Sequence, residues 1–133
     1  MLDYAIYRFG YEDAKWLYPR LKLKDEYIPT YIYVGFWNEM YVGYMSCSFE
    51  NMDTINIQST QLVPEFQGIK IVRIIREIIK TIHRDFYNIT VMIDNQNNNM
   101  IKVFLNVGFF ITGSVAEYDK IFIRLLKTDE KIM

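Results

Sequence analysis

The segment of this sequence best placed to do chemistry is Val63-Pro64-Glu65-Phe66-Gln67-Gly68-Ile69-Lys70. It joins a strand-like run to a stretch with helical periodicity, so it would deliver the chain to a helix N-terminus. Such an end presents unpaired backbone N–H groups and the positive pole of the helix dipole. Together these bind phosphate or pyrophosphate. Gly68 permits either positive φ or close approach of a ligand. Lys70, Arg73 and Arg76 follow on the first turns, and read either as phosphate contacts or as a solvated face. Taken alone, Pro64 and Gly68 read more readily as ordinary turn residues.

Groups that could move a proton are scarce. The strand before Val63 offers Gln58, Ser59, Thr60 and Gln61 but no carboxylate, and Glu50 and Asp53 fall in the preceding turn, where they read as solvated. Tyr44 and Tyr118 carry hydroxyls, yet with 11 tyrosines in the chain packing is the default role of any one. His83 falls in the last turn of the long helix, where it complements the dipole. Cys47 lies between Ser46 and Ser48 with no histidine near in sequence, which reads as a buried thiol rather than a nucleophile. No catalytic residue is assigned on these grounds. A single cysteine excludes an intramolecular disulfide and a zinc site of the usual cysteine type, and no metal is expected.

The elements that must hold these residues follow from period and punctuation. Asp3–Phe9 reads as a strand broken by Gly10, and Tyr11–Pro19 as a helix with Ala14, Leu17 and Tyr18 on one side. Lys22–Thr30 is a charged connector. Tyr31–Phe36 and Met40–Phe49, separated by Trp37-Asn38-Glu39, form a hairpin signal. After a turn at Glu50–Asp53, Thr54–Val63 alternates, with Ile55, Ile57 and Ser59 on one face and Thr54, Asn56, Gln58 and Thr60 on the other. The period then changes. Ile71, Val72, Ile75, Ile78, Ile79 and Ile82 form one stripe and Arg73, Arg76, Glu77, Lys80 and Arg84 the other, predicting a helix over Ile69–Asp85. Asn88–Ile93 reads as a buried strand parallel to the one ending at Val63, and Asp94–Asn99 as a turn-and-cap cluster. Met100, Ile101, Phe104 and Leu105 mark a helix closed by Gly108. Phe109–Thr112 and Asp119–Lys127 are final strands about Gly113. The expected order is β-α-β-β-β-α-β-α-β-β.

Taken together, Val63-Pro64-Glu65-Phe66-Gln67-Gly68, the later Asn97 and Gly108-Phe109, and the hairpin Trp37 to Tyr44 with its Val42-Gly43 resemble the GNAT superfamily of acetyl-CoA-dependent N-acyltransferases. The resemblance runs from the first strand to Lys127. It implies an α/β (α+β) fold with a mixed, mostly antiparallel central sheet and helices on both faces, in a single domain over residues 1–133. It implies acetyl-CoA as cosubstrate and transfer of its acetyl group to a primary amine on a small molecule or a protein. Gln67, Gly68, Ile69, Lys70, Ile71 and Val72 would receive the pyrophosphate through backbone amides facing an open groove. Leu62 and Val63 would hold the pantetheine by strand-like bonding, and Asn97 and Phe104 would line the thiol end. Four positions depart from the family pattern. Lys70, Val72 and Met100 stand where small residues are usual, and Phe104 stands where many members carry a tyrosine that protonates the thiolate. A phenyl ring has no proton to give. The alternative is a GNAT-like protein that has lost catalysis and serves in binding or structure, of a kind found among bacteriophage proteins. The excess of isoleucine, asparagine, lysine, tyrosine and phenylalanine over glycine, alanine, arginine and proline suggests an AT-rich genome and agrees with that alternative.

Composition sets the outer bounds. With 133 residues, 51% of them hydrophobic, the chain is long enough to bury one core. A formal net charge of -1 argues against a nucleic-acid partner, which would select a basic excess. No apolar run approaches a membrane span, and the start lacks the pattern of a signal peptide. The expectation is a cytoplasmic protein without a membrane partner, for which a homodimer is allowed.

Overall fold

The computed structural model describes residues 3–17, 28–66 and 68–129, apart from the side chains of Leu17 and Ile69. Gln67, Tyr18, Pro19 and most of the Lys22–Thr30 connector lie outside the described residues. The elements are β1 (Tyr4–Gly10), α1 (Tyr11–Leu17), β2 (Tyr31–Trp37), β3 (Met40–Asn51), β4 (Thr54–Leu62), α2 (Ile69–Ile82), β5 (Asn88–Asp94), α3 (Asn98–Asn106), β6 (Phe110–Glu117) and β7 (Lys120–Thr128). Their order is the one expected. The seven strands form one sheet in the order β1-β2-β3-β4-β5-β7-β6. Every pairing is antiparallel except β4 with β5, which are parallel. A parallel pair needs a crossover, and α2 supplies it.

The core is asymmetric. On one face of the sheet α2 and α3 cover Tyr33, Met45, Cys47, Ile55, Ile57, Ile89, Val91 and Leu125. On the other, Ala14 of α1 packs with Ile32, Val34 and Tyr44. Isoleucine is a mediocre helix former, so α2 is held by burial rather than propensity. Its apolar arc is centred further round than the sequence stripe suggests. Ile74 is fully buried beside Ile75, Ile78 and Ile82, whereas Ile71 and Val72 are half-buried. Gly35 makes room for this approach, since a Cβ there would meet Ile74 Cδ1 at 3.2 Å. No helix among the described residues is long and apolar enough to cross a membrane.

Three expectations shift. The long helix ends at Ile82, not Asp85: the N–H groups of Arg84 and Asp85 turn to the Thr81 and Ile82 carbonyls, a tighter final turn. That turn presents Asp85 to Arg8 Nη1 at 2.9 Å and to the Tyr33 hydroxyl at 3.3 Å. The last hairpin does not turn at Gly113. Its reversal is Tyr118-Asp119, with φ of 52° and 62°, as Asn38-Glu39 with 48° and 67° reverses the first hairpin. Both have the two successive left-handed residues that match strand twist, built here without glycine. Gly113 instead follows a bulge at Thr112 within β6. Finally, Ser59 is not on the face of Ile55 and Ile57. Ser46 pairs with Ser59 and Cys47 with Ile57, so Gln58 is an extra residue that inverts the alternation beyond it.

Candidate active site

The bulge at Gln58 also decides how far β4 and β5 run together. They pair from Thr54 with Asn88 to Ile57 with Val91 and no further. A bulge bends its strand and increases its twist, and β4 leaves β5 where Gln58 interrupts it. Beyond this point β4 keeps its ladder with β3, and the Val63 N–H donates to the Val42 carbonyl at 2.9 Å. Antiparallel pairing alternates the direction of backbone groups. With Val63 and Gln61 directed to β3, the backbone groups of Leu62 and Thr60 point to the other edge, where β5 has diverged. Of the two residues expected to bond a ligand in strand fashion, Leu62 is therefore the one aimed into the gap. Val63 spends its N–H on Val42, and its carbonyl accepts from Phe66 N–H at 3.0 Å.

The chain then enters α2 through Pro64 to Gly68. Gly68 has φ 65° and ψ −136°, and a Cβ there would meet nothing within 4 Å. No side chain caps this end. The Ile71 N–H turns back to the Gly68 carbonyl at 3.1 Å, so the amides ahead of it keep the helix's unpaired donors beside open space. Lys70 does not obstruct them: its Nζ stands 5.6 Å from the centre of the Trp37 ring, a cation over an aromatic face. Trp37 in turn packs edge-on against Phe66, ring centres 5.8 Å apart. Its indole nitrogen is buried with no partner among the described residues. Ile71 and Val72 turn partly into the core, so only their backbone belongs to this end.

The other two expected residues lie on α3 and at its start. The Asn97 side chain caps α3, accepting from Met100 N–H at 3.2 Å. Phe104 is 1% exposed and packs edge-on against Phe109 at 5.0 Å. Its ring belongs to the core rather than to an open wall. Gly108, with φ 105°, closes α3 as expected. His83 and Cys47 stay outside the site. The His83 Nδ1 lies 3.0 Å from the Phe86 carbonyl at the far end of α2, and burial pushes the Cys47 thiol up.

The sheet face opposite α2 carries a second feature. Alternation puts Asn56 and Thr90 on this face, one rung before the strands part. The Asn56 amide donates to Thr90 Oγ1 at 2.9 Å, and that hydroxyl donates to Glu50 Oε1 at 2.7 Å. Glu50 is therefore not simply solvated. It is the extra residue of a β3 bulge between Phe49 and Asn51, which re-aims its carboxylate across β4 onto β5. Arg124 of β7 approaches the same oxygen at 3.7 Å. Glu50, Thr90 and Arg124 line a groove of about 470 Å³ whose far wall is Thr112–Val115 of β6, itself bulged at Thr112. Alongside, Ser46 and Ser59 hydroxyls lie 2.7 Å apart, and Tyr44 bonds Ser59 while burial raises its phenol. Glu50, Thr90 and Arg124 were not legible as a site. They come from three strands, and the one local signal was the polar face of Thr54–Thr60. Among the described residues, no group of three histidine, cysteine or acidic side chains is placed to hold a metal ion.

No protein-family model matches the sequence, and no curated protein matches it. Solved structures do. An IAA acetyltransferase from Bacillus cereus aligns with TM-score 0.69 over 95% of this chain and 99% of its own, at 17% identity. A GNAT family acetyltransferase from Elizabethkingia anophelis, with acetyl-CoA bound, aligns at TM-score 0.64 over 94% and 97%, also at 17% identity. A chimeric spermidine N-acetyltransferase from Vibrio cholerae and a second source reaches TM-score 0.73 over 94% and 95%, at 11% identity. The chain has the fold of the GNAT acetyltransferases.

Proposed function

We propose that this protein transfers an acetyl group from acetyl-CoA to a primary amine. The observation that carries the reading is the parting of β4 from β5 after Ile57 and Val91, which frees the backbone edge of Thr60 and Leu62 beside the uncapped N-terminus of α2. The residues present fit the cosubstrate: open space at Gly68 admits a pyrophosphate, the first amides of α2 donate to it, and Lys70 stands by as a point charge. Acetyl-CoA supplies an activated thioester. The Leu62 and Thr60 edge orients an extended, amide-bearing arm as a strand would, and a donor along it polarises the thioester carbonyl. The acceptor's ammonium gives up one proton to a base. Its nitrogen forms the amide bond as the C–S bond breaks, and the second nitrogen proton passes to the departing thiolate.

A second reading, binding without turnover, is favoured by Phe104, which is buried and carries no proton for the thiolate. One experiment separates the two. Calorimetric titration of acetyl-CoA into the protein and its Lys70→Gly variant, followed by thiol release with a panel of amines, is expected to show binding, weakened in the variant, and turnover. Binding with no turnover of any amine supports the second reading. No binding to either protein overturns both.

A further inference from the structure

We propose that the groove beside Glu50 and Arg124 is the acceptor site, and that the acceptor is a small α-amino acid. The inference rests on the acetyl-transfer reading and adds its substrate class. Three observations carry it. The groove runs from Thr54 and Asn88, where β4 and β5 begin to pair, up to Thr90, one rung below the point where the strands part, and lies on the face opposite α2. An amine entering there meets the gap from the side that the helix does not cover; α1, the helix on that face, packs on β1 and β2. Two independent bulges, at Glu50 and Thr112, converge on the groove from its two sides, and bulges re-aim side chains where regular pleating would not. Finally, the charges are paired in kind but not consumed by each other. Glu50 accepts a hydrogen bond on one oxygen from Thr90, and at 3.7 Å the Arg124 guanidinium falls outside hydrogen-bond range of that same oxygen.

A carboxylate and a guanidinium this close, both partly open, match a ligand with an ammonium and a carboxylate a few ångströms apart. The guanidinium fork suits a carboxylate in particular. Leu126 and Val115 supply an apolar wall for a side chain. In this arrangement Glu50 holds the α-ammonium and takes its proton, and the nitrogen attacks the thioester carbonyl. The C–S bond breaks, the second nitrogen proton goes to the thiolate, and Glu50 returns its proton to water. Thr90 and Asn56 are positioning residues that hold the Glu50 carboxylate.

The test compares leucine, leucinamide and isopentylamine as acceptors by thiol release, in the protein and in Arg124→Gln and Glu50→Gln. Leucine is expected to exceed leucinamide in kcat/KM at least about tenfold, with the ratio falling toward one in Arg124→Gln. Glu50→Gln is expected to lower kcat. The amide has the weaker base, so more of it is unprotonated, which biases the comparison against the proposal. Equal use of leucinamide or isopentylamine overturns the substrate class while leaving acetyl transfer intact. A parallel NMR titration of leucine alone is expected to move the backbone amides of Thr90, Ser114 and Arg124, and not to do so in Arg124→Gln. Leucine that moves none of them overturns the groove assignment whether or not acetyl-CoA binds.

Discussion

The two sides of the β4–β5 gap are built from different materials. On the α2 side the donors are backbone: the first turn of the helix and the freed edge of β4. On the opposite side the polar groups are side chains, Glu50, Asn56, Thr90 and Arg124, drawn from four strands. A backbone site depends on chain path and tolerates changes of side chain, which is how Lys70 and Val72 stand where glycine or alanine would serve. Lys70 leans onto Trp37, and Val72 turns toward the core. A side-chain site depends on identity and aim, and here the aim comes from bulges. Under the function proposed above, the first side would take the cosubstrate and the second the acceptor.

The comparison breaks most severely if the core is opened, because one sheet carries both sides. Phe104→Ala in that core should cost about 3–5 kcal/mol, read as a lowered urea midpoint, and both sides should fail together. Gly68→Val should separate them. A β-branched residue at φ 65° stores strain of about 1–3 kcal/mol and fills the space beside the amides. Acetyl-CoA affinity is expected to fall at least about tenfold by calorimetry, while the NMR response to leucine persists. Thr90→Val is the mirror experiment. It keeps the shape but strands the Asn56 amide and one Glu50 oxygen, at about 1 kcal/mol in this half-open setting. The acceptor KM should rise while acetyl-CoA affinity holds. Lys70→Gln removes a cation–π contact of about 0.5–1 kcal/mol. A two- to fivefold loss of acetyl-CoA affinity is expected, shrinking at high salt. The remaining prediction reads stability at alkaline pH rather than binding. Burial, with Tyr44 adding, raises the Tyr41 phenol from its ordinary value to about 12, and burial also raises Tyr33 and Tyr44. The unfolded chain ionises first, so this contribution is whole below about pH 10 and is lost as pH climbs to about 12. A thermal-melt series flat across that window would contradict it.

Much of the molecule follows from local sequence alone. The element order, the amphipathic α2, the crossover that makes β4 and β5 parallel, and the glycine that opens the helix at Gly68 each rest on a few neighbouring residues with their own period or backbone preference. So does the cap at Asn97, whose side chain reaches three residues along, and the closing Gly108. What the tertiary structure alone decided has a common cause: it depends on residues far apart in the chain. Whether Gln58 pairs or bulges is set by how β3 and β4 match over their whole length, and that one extra residue moves Ser59 to the other face and opens the gap. Glu50 looks like a turn residue until Thr90, forty positions later, arrives on β5 to bond it, and Arg124 arrives later still. The direction taken by Lys70 waits on Trp37, and the burial of Phe104 on Phe109 and the sheet beneath. Period and propensity report what a residue can do beside its neighbours; which face a side chain meets across three strands is fixed only when those strands are packed.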